Sequence, residues 1–415
     1  DYQINGKSKM NINGDIDDAN YSLKKIKKNF FYNFNFELIN SAVNFKILNY
    51  TKNKGDKSSL ELKGKYSDSK NTNLDKIKFI HGKNFIDLQN VKINPNKKIK
   101  SIDNLKVSVL NNNEKLSKLD IKKNKKNYII NSQIFDGTKL VDEILLSEEK
   151  GNFFDLFNNL NSNISIKIDT AYLSQEDYLT SLNTDIIIKN NQIFELNLLS
   201  KFPNNNEFKV SIKTNPNKEK ITTVFTNYAK PLVKKYKFIK GFDGGTLDFY
   251  SVSKDKKINS NLKLYDFKLK EVPALTKLLT LASLQGIADL LTGEGIRFNE
   301  FEMKFNKDKD KGLMTIEEIY SLGPSISVLM DGYVQKDGLV SLRGTLVPAT
   351  TINKVIGSIP LLGDILVGKK VGEGVFGVSY KIKGYPKDLK TTVNPIKTLT
   401  PRFITRTLEK IKKAN

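Results

Sequence analysis

Apolar side chains recur at every second residue through most of this chain, and that period constrains the fold more than any other feature. Tyr32, Phe34, Phe36 and Leu38 alternate with Asn33, Asn35 and Glu37. Val43, Phe45 and Ile47 continue the pattern, and it returns at Leu60/Leu62, Leu105/Val107/Val109, Ile164/Ile166/Ile168, Phe194/Leu196/Leu198, Phe208/Val210/Ile212 and Ile258 through Leu262/Leu264. Successive side chains of a strand point to opposite faces, so each run reads as a strand with one apolar and one polar face. Turn clusters separate the runs, among them Asn53-Lys54-Gly55-Asp56, Asn94-Pro95-Asn96 and Asn215-Pro216-Asn217. A strand-glycine signature also repeats loosely, at Gly6, Gly14, Gly64, Gly344 and Gly384.

One stretch breaks the pattern. Residues 271–296 carry Pro273 near a start signal, Leu275, Leu278, Leu279 and Ala282 at helical spacing, and Gly293 and Gly295 as a stop. The spacing predicts an apolar helix over 272–292, long enough for about five turns. Lys277, Gln285 and Asp289 within it argue against a bilayer span. Either it covers the end of a β-core or it touches lipid. Leu140–Leu146 and Phe153–Phe157 are candidate short helices in the first half. From about residue 231 glycine becomes frequent and lysine thins, which suggests a repetitive β-region over 1–230, a second region over 231–400 and a basic amphipathic tail over 401–415. The chain opens at Asp1 with no charged-then-apolar leader, as expected of a mature product or a piece of something longer.

The composition offers little to catalysis. There is no cysteine, and His81, the single histidine, sits where a strand runs into a turn with no serine or carboxylate partner evident in sequence. Gly372-Glu373-Gly374-Val375-Phe376-Gly377 has dinucleotide-loop spacing, but a β-type run follows where a helix is required. Asp17/Asp18, Glu148/Glu149 and Glu317/Glu318 are adjacent pairs that a strand sends to opposite faces. Ser283, Ser321 and Ser325 lack a nucleophile elbow. We therefore expect no enzyme, no metal and no cofactor. The net charge of +23 would fit nucleic acid, yet only four of the 68 basic residues are arginine and the lysines are spread along the chain with asparagine. That distribution fits solvated strand faces, and nucleic acid is not an expected partner.

Strands with long apolar faces and few helices must fold back on themselves, pair with another sheet or hold something greasy. A filled two-sheet sandwich and a trough lined by Phe and Leu are both open at this point. The trough would present Phe34, Phe36, Phe45, Ile166, Leu196, Phe208, Val210, Ile212, Leu262 and Leu264 to acyl chains.

The C-terminal third carries a resemblance. Tyr265-Asp266-Phe267-Lys268-Leu269-Lys270-Glu271-Val272-Pro273, then Leu281-Ala282-Ser283-Leu284-Gln285-Gly286-Ile287 and Gly293-Glu294-Gly295-Ile296-Arg297-Phe298, are followed in order by Gly332, Gly344-Thr345-Leu346-Val347-Pro348, Ile359-Pro360-Leu361-Leu362-Gly363-Asp364-Ile365-Leu366 and Val393-Asn394-Pro395. Over roughly residues 236–404 this is similar to the AsmA-like C-terminal region of YhdP-type envelope proteins, relatives of the TamB-type bridge-like lipid transfer proteins. The resemblance implies a mainly β fold, an elongated antiparallel sheet curled into a groove, with a few short helices mostly in the C-terminal third. It implies non-enzymatic phospholipid transport between inner and outer membrane. The setting implied is the periplasm, with tethering to the inner membrane through a segment upstream of this sequence and an envelope protein as a possible partner. Leu275, Leu278, Leu279 and Leu284 would then cap the groove or face a membrane, as would Leu361, Leu362, Ile365 and Leu366. The alternative function is a scaffold for outer-membrane proteins that offers strand edges.

Overall fold

The computed structural model describes residues 1–12, 14–66, 72–139, 153–234, 241–270, 273–281, 293–348, 377–386 and 388–396. The protein is mainly β, and its two compact units comprise residues 1–213 and 214–415. The division falls earlier than the shift in composition near residue 231.

The first unit contains β1 (Tyr2–Ile12), β2 (Asp15–Ile26), β3 (Asn29–Leu38), β4 (Val43–Phe45), β5 (Tyr50–Lys52), β6 (Ser58–Tyr66), β7 (Thr72–His81) and β8 (Asn84–Ile93). These are followed by β9 (Ile99–Ser101), β10 (Asn104–Leu110), β11 (Leu116–Asn124), β12 (Asn127–Asp136), β13 (Ser162–Tyr172), β14 (Tyr178–Lys189), β15 (Gln192–Phe202) and β16 (Asn206–Thr214). Neighbours in the sheet run β1-β2-β3-β6-β7-β8-β10-β11-β12-β13-β14-β15-β16, with β9 at the end of β8. All pairs are antiparallel except β12 with β13, which is parallel. A parallel pair needs a long return connection, here residues 137–161, and that exception departs from the wholly antiparallel expectation. No described pairing joins β1 to β16, so the sheet stays open.

Short turns set the register. At β14–β15, Lys189 pairs with Gln192 and the two residues between, Asn190 and Asn191, have φ of 52° and 62°. Positive φ at both positions is the type I′ pattern that matches strand twist, and asparagine tolerates it. Lys27, Lys125 and Asp255 take positive φ as first residues of other two-residue hairpins. Among the described residues, seven of the fifteen non-glycine positions with positive φ are asparagine.

Three of the signature glycines have a shared cause. Gly6, Gly64 and Gly344 pair across strands with Tyr21, Tyr32 and Tyr380. At each, a Cβ would collide with the tyrosine ring lying over the bare backbone. The ring supplies the packing that the glycine lacks.

The second unit runs β17 (Lys220–Thr226), α1 (Lys230–Lys234), β18 (Asp243–Lys254), β19 (Lys257–Leu269), α2 (Pro273–Leu281), β20 (Ile296–Asp308), β21 (Leu313–Leu322), β22 (Ile326–Val334), β23 (Val340–Pro348), β24 (Gly377–Tyr385) and β25 (Asp388–Ile396). It is an antiparallel sheet in which each strand pairs with the next. The helix expected over 272–292 is described as α2 up to Leu281, and 282–292 lie outside the described residues. Leu140–Leu146 lie outside them as well, whereas Phe153–Leu156 form a 3₁₀ turn. Two further 3₁₀ turns, Lys46–Leu48 and Pro203–Asn205, also fall in the first unit, so the described helical turns are not gathered in the C-terminal third.

Candidate functional site

Register turns the alternation of separate strands into one feature of the first unit. Tyr21 pairs with Phe34, Phe34 with Leu62, Leu62 with Ile77, Ile77 with Leu88, Leu88 with Leu105 and Leu105 with Ile121. The ladder goes on through Ile130, Ile166, Thr184, Leu198 and Val210. Every member except Thr184 is apolar in its larger part, and all but the buried Thr184 are half-buried. At about 4.8 Å between neighbouring strands the row extends roughly 50 Å. One acyl chain occupies half of an about 30 Å hydrocarbon layer, so the row exceeds any single-lipid pocket.

Alongside it runs a more deeply covered row, Ala19-Phe36-Leu60-Phe79-Ile86-Val107 in register. All but Leu60 are buried. Part of the cover is the small β4–β5 hairpin. The Phe45 ring meets Phe79 edge-on at 5.4 Å and Tyr50 meets it at 6.3 Å. Tyr50 Oη lies 2.6 Å from His81 Nδ1, which gives the lone histidine a structural partner. Burial pushes the Tyr50 phenol up.

A polar clamp holds the entry to that hairpin. Asp17, only 2% exposed, accepts the backbone N–H groups of Ile39, Asn40 and Ser41. Burial alone would raise its pKa, but the hydrogen bonds from Ser41, Asn40 and Ile39 outweigh that, so the carboxyl is held below the usual carboxylate range. Lys52 is fully buried and donates from Nζ to the carbonyls of Ile39 and Ser41 at 3.1 and 2.8 Å. Two opposite charges thereby satisfy both the donors and the acceptors of one turn. The return connection after β12 contributes at Phe157, which bridges to Ile99 and whose carbonyl accepts from Asn191 Nδ2.

The opposite face of this sheet is charged and partly self-paired. Lys76 lies 2.8 Å from Glu61, whose hydrogen bond raises the lysine pKa, and Lys122 lies 3.4 Å from Asp120.

The second unit treats its apolar face differently. Phe242, Phe267 and Phe298 stack at centroid distances of 5.1 and 5.5 Å within a buried core that includes Leu247, Leu264, Ile326 and Leu346. Leu279 of α2 is fully buried in this core, with Leu275 packed against it, and α2 lies on β25. Val233 of α1 joins the same core.

The residues expected from sequence are thus placed in different environments. Phe34, Ile166 and Val210 lie on the half-buried ladder, and Leu196 and Ile212 pair in the adjacent row. Phe36 and Phe208 are buried, with Phe208 5.5 Å from Phe202. Phe45 belongs to the covering hairpin instead of the sheet face. Leu262 is half-buried and Leu264 buried, both in the second unit. The side chain of Leu278, and all of Leu284, Leu361, Leu362, Ile365, Leu366 and the tail over 401–415, lie outside the described residues. Leu88, Ile121 and Ile130 were not singled out in the sequence, although they extend the ladder. Alternation flags such residues, and only register reveals that they align.

Compared with protein-family models, curated proteins and solved structures, the chain matches none. Among the described residues no helix is long and apolar enough to cross a membrane, and no cluster of histidine, aspartate or glutamate could hold a metal ion.

Proposed function

We propose that this chain carries the acyl chains of phospholipids along the ladder of its first unit, as a non-enzymatic transporter in the periplasm between inner and outer membrane. The observation that carries this reading is the half-buried, in-register apolar row, since monomeric proteins seldom leave a contiguous apolar strip of that length only partly covered. The ordered C-terminal motifs similar to those of AsmA-like envelope proteins support the same reading. In this account the sheet is the floor of a groove. The covered second unit, with Leu279 seated in its core, closes that unit's own apolar face and leaves conduction to the first. Lipid extraction and native mass spectrometry of the purified chain should find bound phospholipid. Photocrosslinkers at Phe34, Leu88 and Leu198 should all label lipid, because a path is occupied at several points. Absence of lipid together with no labelling at any of the three positions would sink the proposal.

A second reading, a scaffold for outer-membrane proteins, is supported by β1, whose only partner among the described residues is β2. An open strand edge can receive a partner strand. Crosslinks from β1 to a β-barrel protein, without lipid crosslinks from the ladder, would favour it.

A further inference from the structure

The hairpin joining β2 and β3 turns through Lys27 and Lys28, and exposed aromatic rings flank the tip. Phe30 is 41% exposed, Phe31 36% and Tyr66 46%. Phe30 pairs with Lys25 on one side and with Tyr66 on the other. The Lys25 ammonium lies 5.3 Å from the Phe30 ring centroid and 5.9 Å from that of Tyr2. Lys24, Lys27 and Lys28 are exposed, and none of the ion pairs among the described residues involves them or Lys25. Among the described residues the acidic group at the tip is Asp1, whose Oδ1 accepts the Lys27 N–H at 2.8 Å.

Lysines surrounding exposed phenyl and phenol rings are the chemistry of a membrane interface. Aromatic rings settle at headgroup depth, and each lysine gains about 1 kcal/mol near an anionic leaflet. The two phenylalanines decide between a bilayer and a flat anionic partner. Phe30 and Phe31 are consecutive on a strand and so lie on opposite faces of the sheet. A nucleic acid or acidic protein resting on one face would cover one of them. A tip entering a headgroup layer end-on covers both.

We propose that the β2–β3 tip inserts into the headgroup layer of an anionic phospholipid bilayer. This goes beyond the transport reading, because membrane seating at the tip and lipid loading on the ladder are read by separate measurements. The chain contains no tryptophan, so Phe30→Trp installs a single fluorescent reporter, with Tyr250→Trp, at an exposed site on β18 in the second unit, as the reference. With vesicles of about three parts phosphatidylcholine to one of phosphatidylglycerol, the Phe30→Trp emission should move to the blue and be quenched by brominated acyl chains. Tyr250→Trp should do neither. The double variant Phe30→Ser/Phe31→Ser should bind these vesicles at least about tenfold more weakly, since two buried rings are lost. Both rings are exposed, and an unchanged far-ultraviolet circular dichroism spectrum verifies that the variant folds. The proposal is overturned if the protein does not bind anionic vesicles, if the reporter is unshifted in the bound protein, or if the double variant binds like its parent. It is equally overturned if a single-stranded oligonucleotide produces the same shift.

Discussion

At the scale of single residues, the sequence is most informative where it looks least typical. Asparagine and lysine hold most of the described non-glycine positions with positive φ, and Asn190-Asn191 shows the requirement at two consecutive positions. Gly64 is constrained differently: Tyr32 and the carbonyl of Asn73 occupy the space a side chain would need. The clamp at Asp17 could not be read from its neighbour Asp18, because the two carboxylates point to opposite faces and only one meets the 39–41 turn. A carboxyl held below its unfolded pKa contributes stability that is complete above the unfolded value, near 3.9, and is lost as pH falls through the folded value. Asp17→Asn should therefore lower stability at neutral pH by about 1–3 kcal/mol, the cost of mispairing buried donors. It should also flatten the decline in melting temperature between about pH 5 and pH 2. Calorimetry across that range checks both, and parallel pH profiles for variant and parent would show that the clamp does not stabilise the fold.

Elements obey their local signals until tertiary packing assigns them a duty. Helix α2 begins at Pro273, whose missing N–H costs nothing in the first turn, and Leu275, Leu278 and Leu279 follow at helical spacing. Sequence left two uses for that stripe, a cover or a lipid-facing cap. Burial decides for Leu279, which lies wholly within the core of the second unit. Leu279→Ala should cost about 2–5 kcal/mol, the usual range for a leucine removed from a packed site. Denaturant titration checks it, and a loss below about 0.5 kcal/mol would mean that α2 is not part of that core. The β4–β5 hairpin shows the converse. Its alternation at Val43, Phe45 and Ile47 reads like any other strand, yet immediately after β4 the chain turns through 3₁₀ geometry at Lys46–Leu48 and the hairpin folds onto Phe79. Nothing local separates a strand of the main sheet from one that covers it.

At the scale of the whole molecule, the two units use one pattern for different ends. Both are mostly antiparallel arrays with one apolar face; helices complete the core of the second, while the ladder of the first stays half-buried. The ladder carries the proposed function, so a change confined to it should separate lipid loading from folding. Leu88 and Leu105 are directly paired and half-buried. Replacing them together by Leu88→Lys and Leu105→Glu sets opposite charges across the strands, which limits the cost to the sheet. The acyl path is interrupted by groups that are costly to place against hydrocarbon. Lipid phosphorus per protein should fall by about half or more, with the β-sheet circular dichroism retained. Unchanged lipid content in a folded variant would exclude the ladder as the carrier.

The amino-acid sequence by itself determined that the chain is a succession of two-faced strands, where those strands turn, and that an apolar helix interrupts them. Each of these follows from interactions within a few residues: side-chain alternation, positive φ at asparagine and glycine, and helical spacing after a proline. The tertiary structure decided which apolar faces are covered, the parallel pairing of β12 with β13, and the alignment of side chains from twelve strands into a single row. Those outcomes depend on register between segments distant in sequence. A one-residue slip would send every side chain of a strand to the opposite face, and nothing within a single strand records which partner it will meet.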